Sequence, residues 1–445
     1  MRGCNLNGCS TWSEVRLIDV GRLRGDFNGD GYGDVAIAAH RETTPTGSGR
    51  VHVFFGGTDG LSGSRVQSLS SPSANGTYQS FGLSVTALDD FNGNGYSDLA
   101  ISEGTGTSLG RVHIYVGGGA GGLYTAGRGF VEIDGSPSAD GGGGDVDGDG
   151  LSDLGTGAPQ ETVDGVMNAG AAYTLYGTMN LSACSPPCSS ISSRRLVGPS
   201  TPAMGDYFGR TSALFDTNGD GNAEIFVSAP FQRVDIFDRA GRVYVYADAT
   251  GAPSIVEHPA PQVSAEFGAQ VARLGDVNRD GFGDVLVLSS NPARGYVLLG
   301  GRGGTTVAGT SVPAAGDADA IGAGDVNGDG HDDVVIRNGT PATTFVSVFL
   351  GTDLGPQASS HRDLAATTSA YASGLGRWGT ITDVNGDGYA DVIVSAMTET
   401  VGGVSNAGGA YVFLGAADGP AATTTMVLRN PTASAGSAYF GWDGS

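Results

Sequence analysis

The fold class the sequence predicts is all-β, a seven-bladed β-propeller of four-stranded antiparallel blades with a calcium loop in each blade. Three observations carry this expectation. A nine-residue acidic pattern occurs seven times, starting at Asp26, Asp90, Asp145, Asp216, Asp276, Asp325 and Asp383. The starts lie roughly 50–70 residues apart, the spacing of a repeat architecture. Each copy is followed by short apolar runs punctuated by Gly, of which the 445-residue chain holds 78.

The acidic pattern has the chemistry of a hard-cation site. In the first copy Asp26, Asn28, Asp30 and Asp34 stand at positions 1, 3, 5 and 9, and Tyr32 at position 7 can offer its carbonyl. The next sets are Asp90, Asn92, Asn94, Tyr96 and Asp98, then Asp145, Asp147, Asp149, Leu151 and Asp153. The fourth and fifth are Asp216, Asn218, Asp220, Asn222 and Glu224, then Asp276, Asn278, Asp280, Phe282 and Asp284. Asp325, Asn327, Asp329, His331 and Asp333 make the sixth, and Asp383, Asn385, Asp387, Tyr389 and Asp391 the seventh. Ca²⁺ takes six to eight such oxygens, and the Gly at position 6 allows the tight turn that gathers them. Asn-Gly and Asp-Gly are also ordinary turn dipeptides. A turn alone, however, is expected to have no use for carboxylates at positions 1 and 9. Up to seven Ca²⁺ ions are therefore expected. Loop 3, with four carboxylates, should be the tightest site and loop 2, with two, the weakest. Arg279, at position 4 of loop 5, is expected to point outward and to weaken binding only through its charge.

The remaining elements follow in a fixed order. A segment that often holds Phe-Gly (Phe81-Gly82, Phe208-Gly209, Phe267-Gly268) precedes the acidic loop. A short apolar strand such as Asp391-Val392-Ile393-Val394 comes after it, then a variable connection. An alternating strand closed by Gly is next, as in Arg50-Val51-His52-Val53-Phe54-Phe55-Gly56, and a less regular fourth strand ends the unit. The units fall at about 12–70, 71–134, 135–198, 199–260, 261–311, 312–366 and 367–436, one domain in all. Residues 437–445 begin an eighth unit that stops short of its acidic loop. Phe440 and Gly441 are expected to close the ring onto the first blade, which lacks a Phe-Gly of its own, with Trp442 over the seam.

These motifs together resemble the FG-GAP repeat family, the propeller at the N-terminal end of integrin α subunits. The resemblance covers nearly the whole chain, although Phe-Gly is missing ahead of loops 1, 3, 6 and 7. It implies calcium on one face of the disc and a protein or glycan ligand mainly on the other. An extracellular or cell-surface adhesion module without catalysis is the function it implies. The alternatives are a polysaccharide-acting propeller enzyme and a scaffold for a partner protein.

Charge and composition narrow the classes further. The formal net charge of −23 argues against nucleic acid as a partner, and no apolar run is long enough for membrane insertion. Positions 1, 3, 5 and 9 of the loops hold 21 of the 46 acids, so much of that charge is local and calls for cations. The N-terminal residues lack the apolar stretch of a signal peptide, so an exported protein is expected here in mature form. Two close cysteine pairs, Cys4/Cys9 and Cys184/Cys188, suggest local disulfides, and a monomeric disc is expected. In the variable connection of the fourth unit, Phe231, Arg233, Phe237 and Arg239 have the composition of an interaction hot spot.

Overall fold

The computed structural model describes Cys4–Asn5, Gly8–Cys9, residue 137 and residues 25–44, 47–72, 79–104, 109–124, 129–134, 142–182, 191–199, 202–248, 250–314, 318–340, 343–359, 361–364, 375–432 and 438–441. These residues form a β-propeller of seven antiparallel sheets, with helix limited to the 3-10 turns Gly119–Gly121 and Met179–Ser182. Blade 2 shows the pattern: Gln79–Leu88, Asp98–Gly104, Leu109–Tyr115 and Gly129–Asp134 pair in sequence order. Blades 3 to 7 repeat it, and blade 1 holds Val35–Thr44, Gly47–Phe54 and Val66–Ser70. In such a meander the connections after the first and third strands share one end of the sheet. The connection after the second strand leaves from the other end. In blades 2 to 7 the acidic nonapeptide joins the first strand to the second, and in blade 1 it leads into Val35–Thr44, the counterpart of their second strands, so all seven lie at the same end of their blades.

The second strands are buried along most of their length, and largely apolar, because both of their faces are covered. In blade 1, Val35, Ile37 and Ala39 pack with Ile393, Ala410 and Val412 of blade 7. Ala36 and Ala38, on the opposite face, pack with Leu99 and Ile101 of blade 2. Seven such clusters fill the seven gaps between adjacent blades.

The Phe-Gly segments act at these gaps. Phe81 opens blade 2 yet sits among Ala38, Val51 and Val53 of blade 1. Its backbone crosses so close to Gly49 that a Cβ there would stand 2.1 Å from the Phe81 carbonyl oxygen. Gly170 and Gly241 meet Phe208 and Phe267 in the same way, at 2.1 and 2.3 Å. Gly408 of blade 7 meets Phe440, also at 2.1 Å. Phe440 is fully buried beside Ala410 of blade 7 and Phe54 of blade 1, whose ring centroid lies 6.0 Å away. The Gly441 N–H donates to the Ala38 carbonyl at 2.9 Å, matching Gly209 to Ser228 (2.8 Å) and Gly268 to Leu288 (3.0 Å). The C-terminal segment thus makes, between blades 7 and 1, the contacts that Phe-Gly makes elsewhere. Trp442 lies outside the described residues.

Phe440→Ala should cost about 3–5 kcal/mol, as for a large side chain lost from a packed core. Deleting residues 438–445 should lower the melting temperature at least as far. A truncated protein that melts with the full chain in calorimetry would show that the seam is held by other contacts.

Candidate metal centre

Each nonapeptide is wound around its own acids. In loop 1, Asp26 Oδ1 accepts from the N–H groups of Gly29 (2.6 Å) and Asp30 (3.1 Å), and Oδ2 accepts from Gly31 (2.9 Å). Gly31 can aim its N–H inward because its φ of 89° is open to glycine at little cost. Asn28 Oδ1 accepts from Asp30, and Asp30 Oδ1 from Tyr32. The same bonds recur in loops 6 and 7 around Asp325 and Asp383. The winding brings positions 1, 3 and 5 together on the inside. In loop 3 the oxygens of Asp145, Asp147 and Asp149 lie within 4.8 Å of one another, as do those of Asp216, Asp220 and Glu224 in loop 4.

The acid at position 9 is placed differently. Asp34 Oδ2 accepts from the Phe27 N–H at 2.9 Å, and Oδ1 from the Gly56 N–H at 3.0 Å at the end of the third strand. Asp98, Asp153, Asp284, Asp333 and Asp391 bond the equivalent pair of N–H groups. Glu224 accepts instead from the Thr217 N–H (2.8 Å) and hydroxyl (2.6 Å), and its other oxygen accepts from the Asn218 amide. Burial pushes Asp34 and Asp98 up to about 8, and Asp153, Asp284, Asp333 and Asp391 up to about 7. The backbone N–H bonds oppose the rise, and repulsion from the other loop acids adds to it.

Two expectations are corrected by this geometry. Carboxylates at positions 1 and 9 do have a use without metal, since both satisfy buried or turn N–H groups. Positions 3 and 5 likewise accept turn N–H groups, and what the turn leaves unexplained is the crowding of three carboxylates within 4.8 Å in loop 3 and again in loop 4. Arg279 does not simply point outward: its Nη1 donates to the Asp329 carbonyl at 3.2 Å, and its guanidinium lies against Gly330 of loop 6. Position 4 is otherwise a Gly, covered by the position 7 side chain of the following loop. Tyr96 lies on Gly29, Tyr389 on Gly328 and Tyr32 on Gly386. An all-oxygen, strongly anionic donor set of this kind fits a hard divalent cation and does not suit the softer transition metals.

At the other end of the blades the structure reveals acids that sequence reasoning did not find. Glu42 and His52, both buried, meet at 3.0 Å, and Glu103 and His113 at 2.8 Å. In blade 3 Tyr173 donates to Glu161 at 2.7 Å, and in blade 7 Tyr411 donates to Glu399 at 2.6 Å. Burial works to raise Glu42, but the bonds from His52, Thr432 and Asn430 hold it below the usual carboxylate range. A signal existed in the chain. The acid stands near the end of the second strand or just after it, and the His or Tyr stands 10 or 12 positions later, on the third.

The candidate hot spot is largely self-satisfied. The Arg239 guanidinium lies 4.1 Å from the centroid of Phe231, which Tyr207 meets edge-on at 5.3 Å. Arg239 also pairs with Glu266, and Arg233 with Asp238 at 3.5 Å. Phe237 is half-buried and pairs with Val234 across a small hairpin. Cys4 and Cys9 are register partners in a short antiparallel pair, whereas Cys184 and Cys188 lie outside the described residues. Among the described residues no helix is long and apolar enough to cross a membrane.

The model described as FG-GAP repeat matches residues 24–54, 81–115, 208–246 and 375–413, and the FG-GAP-like repeat matches 276–336. Integrin alpha-IIb of Homo sapiens is 38% identical over 108 residues, 22% of this chain and 10% of its own. Integrin alpha-3 of Mus musculus is 40% identical over 101 residues, 22% and 9% of the two chains. Integrin alpha-PS3 of Drosophila melanogaster is 33% identical over 106 residues, 23% and 9%. The matched region is therefore about a tenth of these relatives' length. A crystal structure of AofleA from Arthrobotrys oligospora aligns over 93% of this chain and 95% of its own. Its identity of 9% and TM-score of 0.41 are too low to bear on function. The chain thus carries FG-GAP and FG-GAP-like repeats at these positions, and over about a fifth of its length it is similar to integrin α subunits.

Proposed function

We propose that the chain is a calcium-dependent ligand-binding propeller of the adhesion type, working outside the cell or at its surface. The observation that carries this reading is the sevenfold recurrence of an all-oxygen loop whose positions 1, 3 and 5 turn inward. In each loop those three side chains, the position 7 carbonyl and the position 9 acid are the proposed ligands of one Ca²⁺. The ion would supply the counter-charge for acids that burial and mutual repulsion otherwise penalise. The proposed partner is a protein or a glycan, engaged by the variable connections at the opposite end of the blades. Similarity to integrin α subunits supports a protein partner. The disc is proposed to act as a monomer, and the cysteine pairs are proposed to be disulfides in keeping with that location.

Metal removal tests the first half of the proposal. A ligand at tenfold excess over its Kd stabilises by about 1.4 kcal/mol at each site that the unfolded chain lacks. Excess chelator should therefore lower the melting temperature by many degrees, and excess Mg²⁺ should restore little because it demands octahedral geometry. A melt that is the same in calcium and in chelator would remove calcium from the account. For the partner, binding to protein and glycan libraries should be present in calcium and lost in chelator.

Ligand charge should rank the sites. Asp147→Ala should remove more of the calcium-dependent stability than Asn94→Ala, since only the former takes a negative charge from its loop. Taking the difference between calcium and chelator melts cancels the bond that Asn94 also makes to the Gly117 carbonyl at 2.9 Å. Equal losses in the two variants would show that charge does not set site strength.

A further inference from the structure

Each acidic loop is tied to its neighbour by the same pair of backbone atoms, all the way around the disc. The N–H at position 8 of one loop donates to the carbonyl at position 1 of the loop before it, as from Ser97 to Asp26 at 3.3 Å. Ser152, Ala223, Gly283, Asp332 and Ala390 make the same bond at 2.6–3.3 Å. Gly33 donates to Asp383 at 2.8 Å and closes the circle between blades 1 and 7.

The chemistry of the two ends gives this ring its meaning. The N–H at position 8 belongs to the same amide as the carbonyl at position 7, a proposed calcium ligand. The carbonyl at position 1 belongs to the same amide as the N–H at position 2. That N–H donates to the position 9 acid of its own loop in all seven blades, at 2.8–3.0 Å. Two amides and two hydrogen bonds therefore run from a ligand of one loop to a ligand of the next. Side chains reinforce the link, since the Tyr96 ring of loop 2 lies on Gly29 of loop 1.

We propose that the calcium sites are positively coupled around this ring, so that a cation in one loop raises the affinity of the loops beside it. The proposal rests on the calcium reading given above. A cation on the position 7 oxygen polarises that amide and strengthens its N–H as a donor. It also fixes the peptide against which the neighbouring position 1 is anchored, so the neighbour has less ordering left to do when it binds. By linkage the benefit is reciprocal.

Terbium, which tyrosine sensitises, tests this site by site. With Tyr32→Phe, Tyr389→Phe and Tyr176→Phe in place, the last because Tyr176 is near Asp147 and Asp153 of loop 3, Tyr96 is the tyrosine remaining at position 7 and reports on loops 1 and 2. Asp387→Asn in loop 7 keeps the side-chain shape and removes a charge from the neighbour of loop 1. The terbium midpoint read through Tyr96 should then rise by roughly fivefold, the low end of common inter-site coupling. An unchanged midpoint in a variant with native circular dichroism would overturn the coupling. Absence of sensitised emission from the unaltered protein would instead overturn the calcium reading itself. Should Asp387→Asn fail to fold, equilibrium dialysis of calcium against the unaltered chain decides the matter. Coupled sites give a Hill coefficient above 1, and independent sites of unequal strength give 1 or less.

Discussion

Seven buried acids hold this propeller in shape. In blade 4 Glu224 braces its own loop through Thr217 and Asn218, and in the other six blades the carboxylate at position 9 joins three segments that are distant in sequence or sharply turned. These are the start of its own loop, the second strand it opens and the Gly that ends the third strand. Asp153 and Asp391 span the largest of these distances, taking N–H groups from Val146 and Gly177 and from Val384 and Gly415. Removing a carboxylate from water costs several kcal/mol, and two N–H bonds return only part of it. The rest must come from outside the carboxylate, and a cation held by the loop oxygens, as proposed above, would supply it. The acid is therefore the mechanical centre of each blade.

The blades have no free inner surface, and this sets the rest of the core. Each second strand is covered on both faces by its neighbours, so its alternating residues belong to two different clusters. A propeller whose last gap stayed open would expose one such face and two sheet edges. Phe440 fills the gap between blades 7 and 1, and the Gly33–Asp383 bond spans the same gap on the loop side. The seam is held at both ends of the blades by the contacts used everywhere else.

How much of this was legible in the sequence depended on whether a feature is local. The loops were readable because the whole pattern lies within nine residues and the side chains at 1, 3 and 5 need no tertiary partner to converge. The apolar second strands and the Gly-closed third strands were readable for the same reason. The Glu42–His52 and Glu161–Tyr173 pairs were not, because their members face each other only after a variable connection has folded back. Leu375-Gly376 also escaped notice. It does for blade 7 what Phe-Gly does elsewhere, with Leu375 buried beside Val346 and a Cβ on Gly376 meeting Val346 at 2.8 Å. The requirement at that place is an apolar wedge followed by a residue free to take positive φ, and Phe is one way to meet it. Arg279 was misjudged because the loop beside it, within reach of its guanidinium, begins 49 residues further along the chain at its own start, Asp325 against Asp276.

The two ends of the blades answer to different constraints. At the loop end, every unit must match its neighbours atom for atom, since position 8 of one bonds position 1 of the next. A change there is felt in two blades. At the other end the connections return to the third strand and hold the next Phe-Gly segment by a few backbone bonds, and blades 3, 4 and 7 do so with a small hairpin that pairs Val163 with Val166, Val234 with Phe237 and Val401 with Val404. The tips of these hairpins can change without disturbing the bonds that hold the disc, and they carry some of its exposed apolar side chains, Met167 and Ile236. Uniform loops at one end thus free the other end to vary, which is the physical condition for one scaffold to present different surfaces to different partners.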